Sequence, residues 1–374
     1  MMKHNNFLRV IFCLVMGIAV FSCNFPYQPK QFILPAIPSP FISPDSITAF
    51  IGTSNVKIAY TLNEDSRWIY YIDFNQPSSL PVKLKKPVGK EKVGGDSPLI
   101  SPDGAFVVYY LTHGNDLQGA YMQRLDGAAT PVLVADNGAE PHWWTDSTGQ
   151  LYVLYSNQLM SVLSTTLVPG EYATYRQKVS LSGDGSLIGA PEKIAPYSMN
   201  GGISKNGRYL CTGYQNAAFY DLAGGVLIPI NPGVQTCNPS IDPDTAHPDV
   251  MMFLNIGKVP QNLTNPFLGN ADFPSPLINE HQMIFIVNSA NTVVDYVSLG
   301  LLTAKYGAYQ EWQDPEWSNN PRFAAALGVI DDATADGVIV KGIGDANTPK
   351  EILNITPGKF KLNPTSTPYV WIGK

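Results

Sequence analysis

The chain is poor in charge. Only 14% of its 374 residues are Asp, Glu, Lys or Arg, and 24 basic against 30 acidic residues leave a net charge of −6. No Lys/Arg cluster offsets this balance, so the electrostatic footprint of a nucleic-acid binder is missing. Histidine is scarce at five residues and cysteine at four, and neither falls at zinc-ligand spacing. No G-x-G-x-x-G follows a strand-like run, and there is no Walker loop and no H-E-x-x-H. Gly202-Ile203-Ser204-Lys205-Asn206 lacks the last glycine of a nucleophile elbow. No stretch sustains a helical apolar period between caps. Together these gaps exclude the common nucleotide-binding and zinc-hydrolase designs, and no cofactor or metal is expected.

Turn formers are abundant: Gly 32 and Pro 31. With so few charges, this composition fits an all-β protein, and the length suffices for one large β domain. The repeating unit is clearest at Leu99–Tyr110, LISPDGAFVVYY. Ser101-Pro102-Asp103-Gly104 is turn chemistry, and Ala105–Tyr110 is a short run rich in β-branched and aromatic residues. Looser versions lie at Pro141–Gly149, Gly202–Gly207, Asn238–Asp244 and Pro315–Pro321, each leading into an apolar run. A period of roughly 35–60 residues with about four strand-like runs per period is the signature of propeller blades.

This pattern, P-x-W-S-x-x-G before an apolar strand, resembles the TolB-like propeller repeat, the WD40-like PD40 repeat. Ser101–Gly104 match its S-P-D-G; Trp144, Asp146 and Gly149 match loosely, as do Ser204, Asn206 and Gly207. Pro315, Trp317 and Ser318 match its front half, with Asn320-Pro321 in place of D-G. The resemblance implies a single β-propeller over residues 47–374. Six four-stranded blades are expected, with five or seven left open: 47–90, 94–136, 139–196, 200–231, 236–300 and 311–356. The Pro368–Ile372 tail would close the ring by completing a blade begun elsewhere, removing exposed edges. Met283–Asn288 and Thr292–Val297 either complete the fifth blade or form a separate one.

Residues 1–22 read as a lipoprotein signal peptide. Lys3 and Arg9 precede an apolar run, Val10–Phe21, of about 12 residues, too short to span a bilayer as a helix. It ends at Val20-Phe21-Ser22-Cys23, which resembles a bacterial lipobox with Cys23 as the acylated residue; an ordinary secretory signal is the alternative. Acyl chains anchor at about 0.8 kcal/mol per buried methylene. Asn24 rather than Asp after the cysteine implies, by resemblance to Gram-negative lipoproteins, an outer-membrane destination. Residues 23–46, dense in proline, read as an extended tether. The expected location is the bacterial cell envelope, with a membrane partner through the lipid, an envelope protein or polysaccharide partner, and no nucleic acid.

Export leaves Cys211 and Cys237 as a possible disulfide, with two buried thiols as the alternative. The residues just before each inner strand would face the channel mouth: Asp96, Glu140, His142, Asn200, Asn238, Glu280, His281, Asp314 and Glu316. Such carboxylates and imidazoles hold cations or exchange protons, and they serve equally as a hydrated rim. The oligogalacturonate lyases, a related propeller family, hold a metal with His and Gln around the channel. That resemblance implies His142, His281 and Gln282 as counterparts here, without the family's fuller pattern. Trp144 and Trp317 read as inter-blade packing, whereas Trp143 and Trp312 have no repeat role and are expected at an exposed binding surface. Asp242-Pro243-Asp244 with Asp249 reads as a turn rather than a calcium loop. The favoured function is a non-catalytic protein- or glycan-binding platform, the alternative a metal-assisted polysaccharide lyase or hydrolase in the channel.

Overall fold

The computed structural model describes residues 42–373 except 63–67, 77–79, 114–115, 128, 159–171, 214–215, 232–235, 256–261, 272, 274–279, 332–333 and 357–367. The signal segment 1–22, Cys23 and most of the tether lie outside the described residues. A short helix, α1 (Pro44–Ile51), corrects the end of the extended tether. Ser43 caps it, its Oγ accepting from the Ser46 amide at 3.2 Å. Pro44 sits in the first turn, where no N–H is needed, so this proline starts a helix instead of breaking one.

Six four-stranded antiparallel sheets follow. The first blade contains β1 (Val56–Leu62), β2 (Trp68–Asp73) and β3 (Val82–Lys83). The second runs β4 (Gly94–Ile100), β5 (Phe106–His113), β6 (Asp116–Arg124), β7 (Val132–Ala135), and the third β8 (Ala139–Thr145), β9 (Leu151–Ser156), β10 (Thr174–Ser180), β11 (Ser186–Ala195). The fourth runs β12 (Met199–Ile203), β13 (Tyr209–Thr212), β14 (Ala218–Asp221), β15 (Val226–Pro229). The fifth holds β16 (Thr236–Ile241), β17 (Val250–Asn255), β18 (Met283–Asn288) and β19 (Val293–Ser298), so β18 and β19 complete this blade. Helix α2 (Leu299–Tyr306) leads to the sixth: β20 (Glu311–Trp317), β21 (Phe323–Asp331), β22 (Thr334–Lys341), β23 (Glu351–Asn354). Finally β24 (Tyr369–Ile372) returns to pair with β1, Ile372 opposite Val56, and supplies the innermost strand of the first blade. Inner strands β4, β8, β12, β16, β20 and β24 contact one another in turn, closing a six-bladed β-propeller.

The turns behave as their residues dictate. Ser101 Oγ accepts from the Phe106 amide at 2.9 Å, Asp103 Oδ1 accepts from the Ala105 amide at 3.0 Å, and Gly104 takes φ 73°. Ser204, Asn206 and Gly207 repeat this in the fourth blade. In the sixth, Asn320 Oδ1 accepts from the Arg322 amide at 3.1 Å and so fills the aspartate's role despite Pro321. Asp242 and Asp244 accept from the amides of Asp244 and Ala246, the local bonds of a turn.

Apolar faces of neighbouring blades meet to form the core, with Trp68, Trp312, Tyr109, Phe106 and Phe219 fully buried. Each such side chain contributes about 1.5–3 kcal/mol. The possible Cys211–Cys237 disulfide is corrected: both are buried thiols. Cys211 packs with Tyr209 and Phe219, whereas Cys237 packs in a separate cluster with Met252 and Leu254. Burial pushes the Cys211 thiol well above its usual range.

Candidate functional site at the channel

Five inner strands carry a register slip near their start, one extra residue in four of them and two in β12. The pairing register slips between Asp96 and Leu99, Ala139 and His142, Met199 and Ile203, Cys237 and Ser240, and Gln313 and Glu316. At each slip a residue takes positive φ: Ser97 (46°), Glu140 (48°), Gly201 (91°), Asn238 (49°) and Asp314 (44°). Four of them are non-glycine residues directly followed by proline. Non-glycine residues held in this region cost of order 1–3 kcal/mol each and persist only where the surroundings fix them. A bulge re-aims side chains that strict alternation would bury or expose.

The structure brings Asp96, Glu140, His142, Asn238, Asp314 and Glu316 together. His142 Nδ1 lies 3.0 Å from the Glu140 carbonyl oxygen, and its Nε2 is 3.9 Å from Glu316 Oε1. Asn238 Nδ2 donates to Asp314 Oδ1. Burial together with the Asp96 charge pushes the Glu140 carboxyl up to about 7, with His142 opposing the rise. Burial, Asp96, Glu140 and Glu311 push Asp314 up to about 8. For His142, burial alone lowers the pKa, but hydrogen bonding and charge from Glu316 and then Glu140 outweigh it, and the net direction is up. Burial and mutual charge thus shift the Glu140 and Asp314 carboxyls toward their protonated forms.

Three expected residues stand apart from the ring. Asn200 Nδ2 donates to the Gly213 carbonyl within its own blade at 3.2 Å. Glu280 is exposed. His281 is buried, with Nδ1 3.6 Å from Glu311, and burial pulls its pKa down to about 4. Among the described residues no three His, Cys, Asp or Glu side chains gather as a metal-ligand set. His142 and His281 thus do not join with a carboxylate as the lyase resemblance requires.

The tryptophan expectation is corrected at Trp312, which is fully buried. Trp143 is half-buried, and its Nε1 donates to the Leu99 carbonyl of the neighbouring blade at 2.8 Å. Trp317 packs in the core as expected, and Trp144 is half-buried against Tyr152. Tyr110 and Glu311 are functional neighbours that sequence reasoning missed: Tyr110 bonds Glu140 and Ser97, and Glu311 bears on Asp314. A signal for the ring exists in the sequence. In four blades a polar residue at the slip is directly followed by proline, at Ser97-Pro98, Glu140-Pro141, Asn238-Pro239 and Asp314-Pro315, and in three of them that proline stands three residues before the turn residue, Ser101, Asp242 or Ser318.

The fold has a known counterpart. TolB from Acinetobacter baumannii superimposes with a TM-score of 0.50 at 13% identity, covering 87% of this chain and 69% of that one. A TolB-type structure from Agrobacterium tumefaciens aligns with a TM-score of 0.47 at 13% identity, over 85% of this chain and 98% of that one. A puromycin-hydrolyzing peptidase from Mycobacterium tuberculosis aligns at 0.39 and 13% identity, over 80% of this chain and 43% of that one. At these identities the likeness is one of fold: the protein is a TolB-like β-propeller. No protein-family model matches the chain, and no curated protein sequence matches it.

Proposed function

We propose that the protein is a lipid-anchored envelope protein whose propeller is a non-catalytic platform, with the acid-lined channel mouth receiving a cationic segment of a partner protein. The observation that carries this reading is the clustering of Asp96, Glu140, Asp314 and Glu316 on bulged inner strands. A Lys or Arg side chain would offset the mutual repulsion of the carboxylates. The signal-like segment and Cys23 support the envelope location, and the outer membrane is the proposed destination. Among the described residues no helix is long and apolar enough to cross a membrane. The metal-assisted lyase reading lacks a converging ligand set among the described residues.

The test is capture from envelope extract by the full-length protein, repeated with Glu316→Gln and Asp96→Asn. A partner that is lost in both variants and released by raised salt supports the reading. Capture indifferent to both variants and to salt overturns it. Radiolabelled palmitate incorporation that disappears in Cys23→Ala tests the anchor separately.

A further inference from the structure

A groove of about 1310 Å³ opens between the fifth and sixth blades. It is lined by the end of β19, the start of α2 and residues 346–350, and none of the six ring residues contributes to it. Three half-buried aromatic rings, Phe267, Tyr296 and Tyr309, face it. The Tyr309 hydroxyl donates to Asp336 at 2.8 Å and accepts from Asn354 at 2.9 Å, which fixes the ring. Phe267 and Tyr296 pack with ring centroids 5.1 Å apart. Beside them Glu280, Gln310 and Asn347 are polar side chains with no hydrogen bond to another described side chain.

The walls are set before any ligand arrives. Lys350 Nζ lies 2.9 Å from Asp295 Oδ1, and the two side chains are only 13% and 2% exposed. Asp295 Oδ2 also accepts from the Gly344 amide at 2.9 Å, and Lys350 donates to the Asp345 and Thr348 carbonyls. Loop 344–350 is thereby tied to β19, and pre-organisation of this kind lowers the cost of binding.

The chemistry selects one kind of ligand. Aromatic faces match the C–H faces of a pyranose, and the amides of Gln310 and Asn347 and the Glu280 carboxylate match its hydroxyls. The open volume exceeds the roughly 300–1,000 Å³ of ordinary small-molecule pockets, which suits a chain of sugars. Lys350 is the only cation among the described lining residues, and it is already paired with Asp295. A uronic acid would therefore meet Glu280 and Glu311 with no available counter-charge among the described lining residues. The geometry points to this groove as a binding site for a neutral oligosaccharide, stacked on Phe267, Tyr296 and Tyr309 and hydrogen-bonded by Glu280, Gln310 and Asn347.

The experiment is calorimetric titration of the full-length protein in detergent with cellohexaose, mannohexaose, xylohexaose and hexagalacturonate. At least one neutral hexaose should bind with Kd below about 1 mM, and hexagalacturonate at least ~10-fold more weakly. Phe267→Ala should weaken binding by at least ~10-fold, and the exposed-site changes Gln310→Ala and Asn347→Ala by about 5-fold each with an unchanged melting temperature. Absence of neutral-hexaose binding up to about 10 mM overturns the proposal, as does preference for hexagalacturonate or binding that survives Phe267→Ala and Asn347→Ala. Protein capture at the channel plays no part in these titrations, so the two readings fail separately.

Discussion

His142 on the third blade and Glu316 on the sixth meet across the channel, imidazole Nε2 to carboxylate Oε1 at 3.9 Å. The contact lifts the His142 pKa against the opposing effect of burial. A histidine whose folded pKa is raised contributes stability that is full below its unfolded value of about 6.5 and is lost as pH rises through the folded value. Glu316→Gln should therefore lower the His142 midpoint followed by imidazole NMR. An unmoved midpoint would show that Glu316 does not hold the proton there.

The carboxylates of the ring give the whole fold a pH profile. Glu140 and Asp314 bind protons more tightly folded than unfolded, with folded values of about 7 and about 8. Stability therefore falls as pH rises from about 4, the unfolded carboxylate value, through 7 to 8. His281 acts in the opposite sense. Its folded value of about 4 means stability falls as pH drops from about 6.5 toward that value. The melting temperature should peak on the mildly acidic side, near pH 5–6. Asp314→Asn should flatten the alkaline limb by on the order of 1 kcal/mol or more at pH 8.5. An alkaline limb identical in the variant would remove Asp314 from the account.

One amide side chain ties the closing strand to the sixth blade. Asn319 Nδ2 donates to the Ile372 carbonyl at 2.8 Å, and the Ile372 amide donates to Asn319 Oδ1 at 2.7 Å. The side chain thus stands in for a peptide partner at the end of β24. The same strand presents Trp371, whose Nε1 donates to the Pro102 carbonyl at 3.2 Å while its ring covers Gly104. Asn319→Ala leaves both Ile372 groups unsatisfied at a cost of about 1–3 kcal/mol. Urea unfolding should show this loss, with Asn319→Asp intermediate because it keeps the acceptor alone. Wild-type stability in Asn319→Ala would mean that the Asn319 bonds add nothing to the hold of β1 and Trp371 on β24.

The blades are legible in the sequence because their turns are local. Ser101, Asp103 and Gly104 bond within a few residues of one another, so a short window of sequence contains the whole cause. The tail strand is legible too, since Pro368–Ile372 has no blade of its own. Trp312 is not legible, for a reason specific to β20. Trp312 and Trp317 are five residues apart and would face opposite sides of a regular strand. The slip between Gln313 and Glu316 adds one residue, and both indoles enter the same core cluster. The ring residues follow from position at the inner-strand starts, but their convergence depends on these bulges. Asn200 shows the limit: in its blade Gly201 stands in the proline's place, and the Asn200 amide turns back to Gly213.

That departure yields the sharpest steric prediction. Gly201 takes φ 91°, and a Cβ there would lie 1.8 Å from the Pro239 carbonyl oxygen of the neighbouring inner strand. Gly149 has nearly the same φ, 84°, yet a Cβ at that position would have no neighbour within 4 Å among the described residues. Both substitutions to alanine share the backbone penalty of the left-handed region, on the order of 1 kcal/mol. Only Gly201→Ala must also force β12 away from β16. It should cost about 4 kcal/mol or more, or prevent folding, while Gly149→Ala loses about 1 kcal/mol in chemical denaturation. Equal losses would mean that backbone conformation alone selects glycine at position 201. A large difference would establish that the close approach of the fourth and fifth blades selects it.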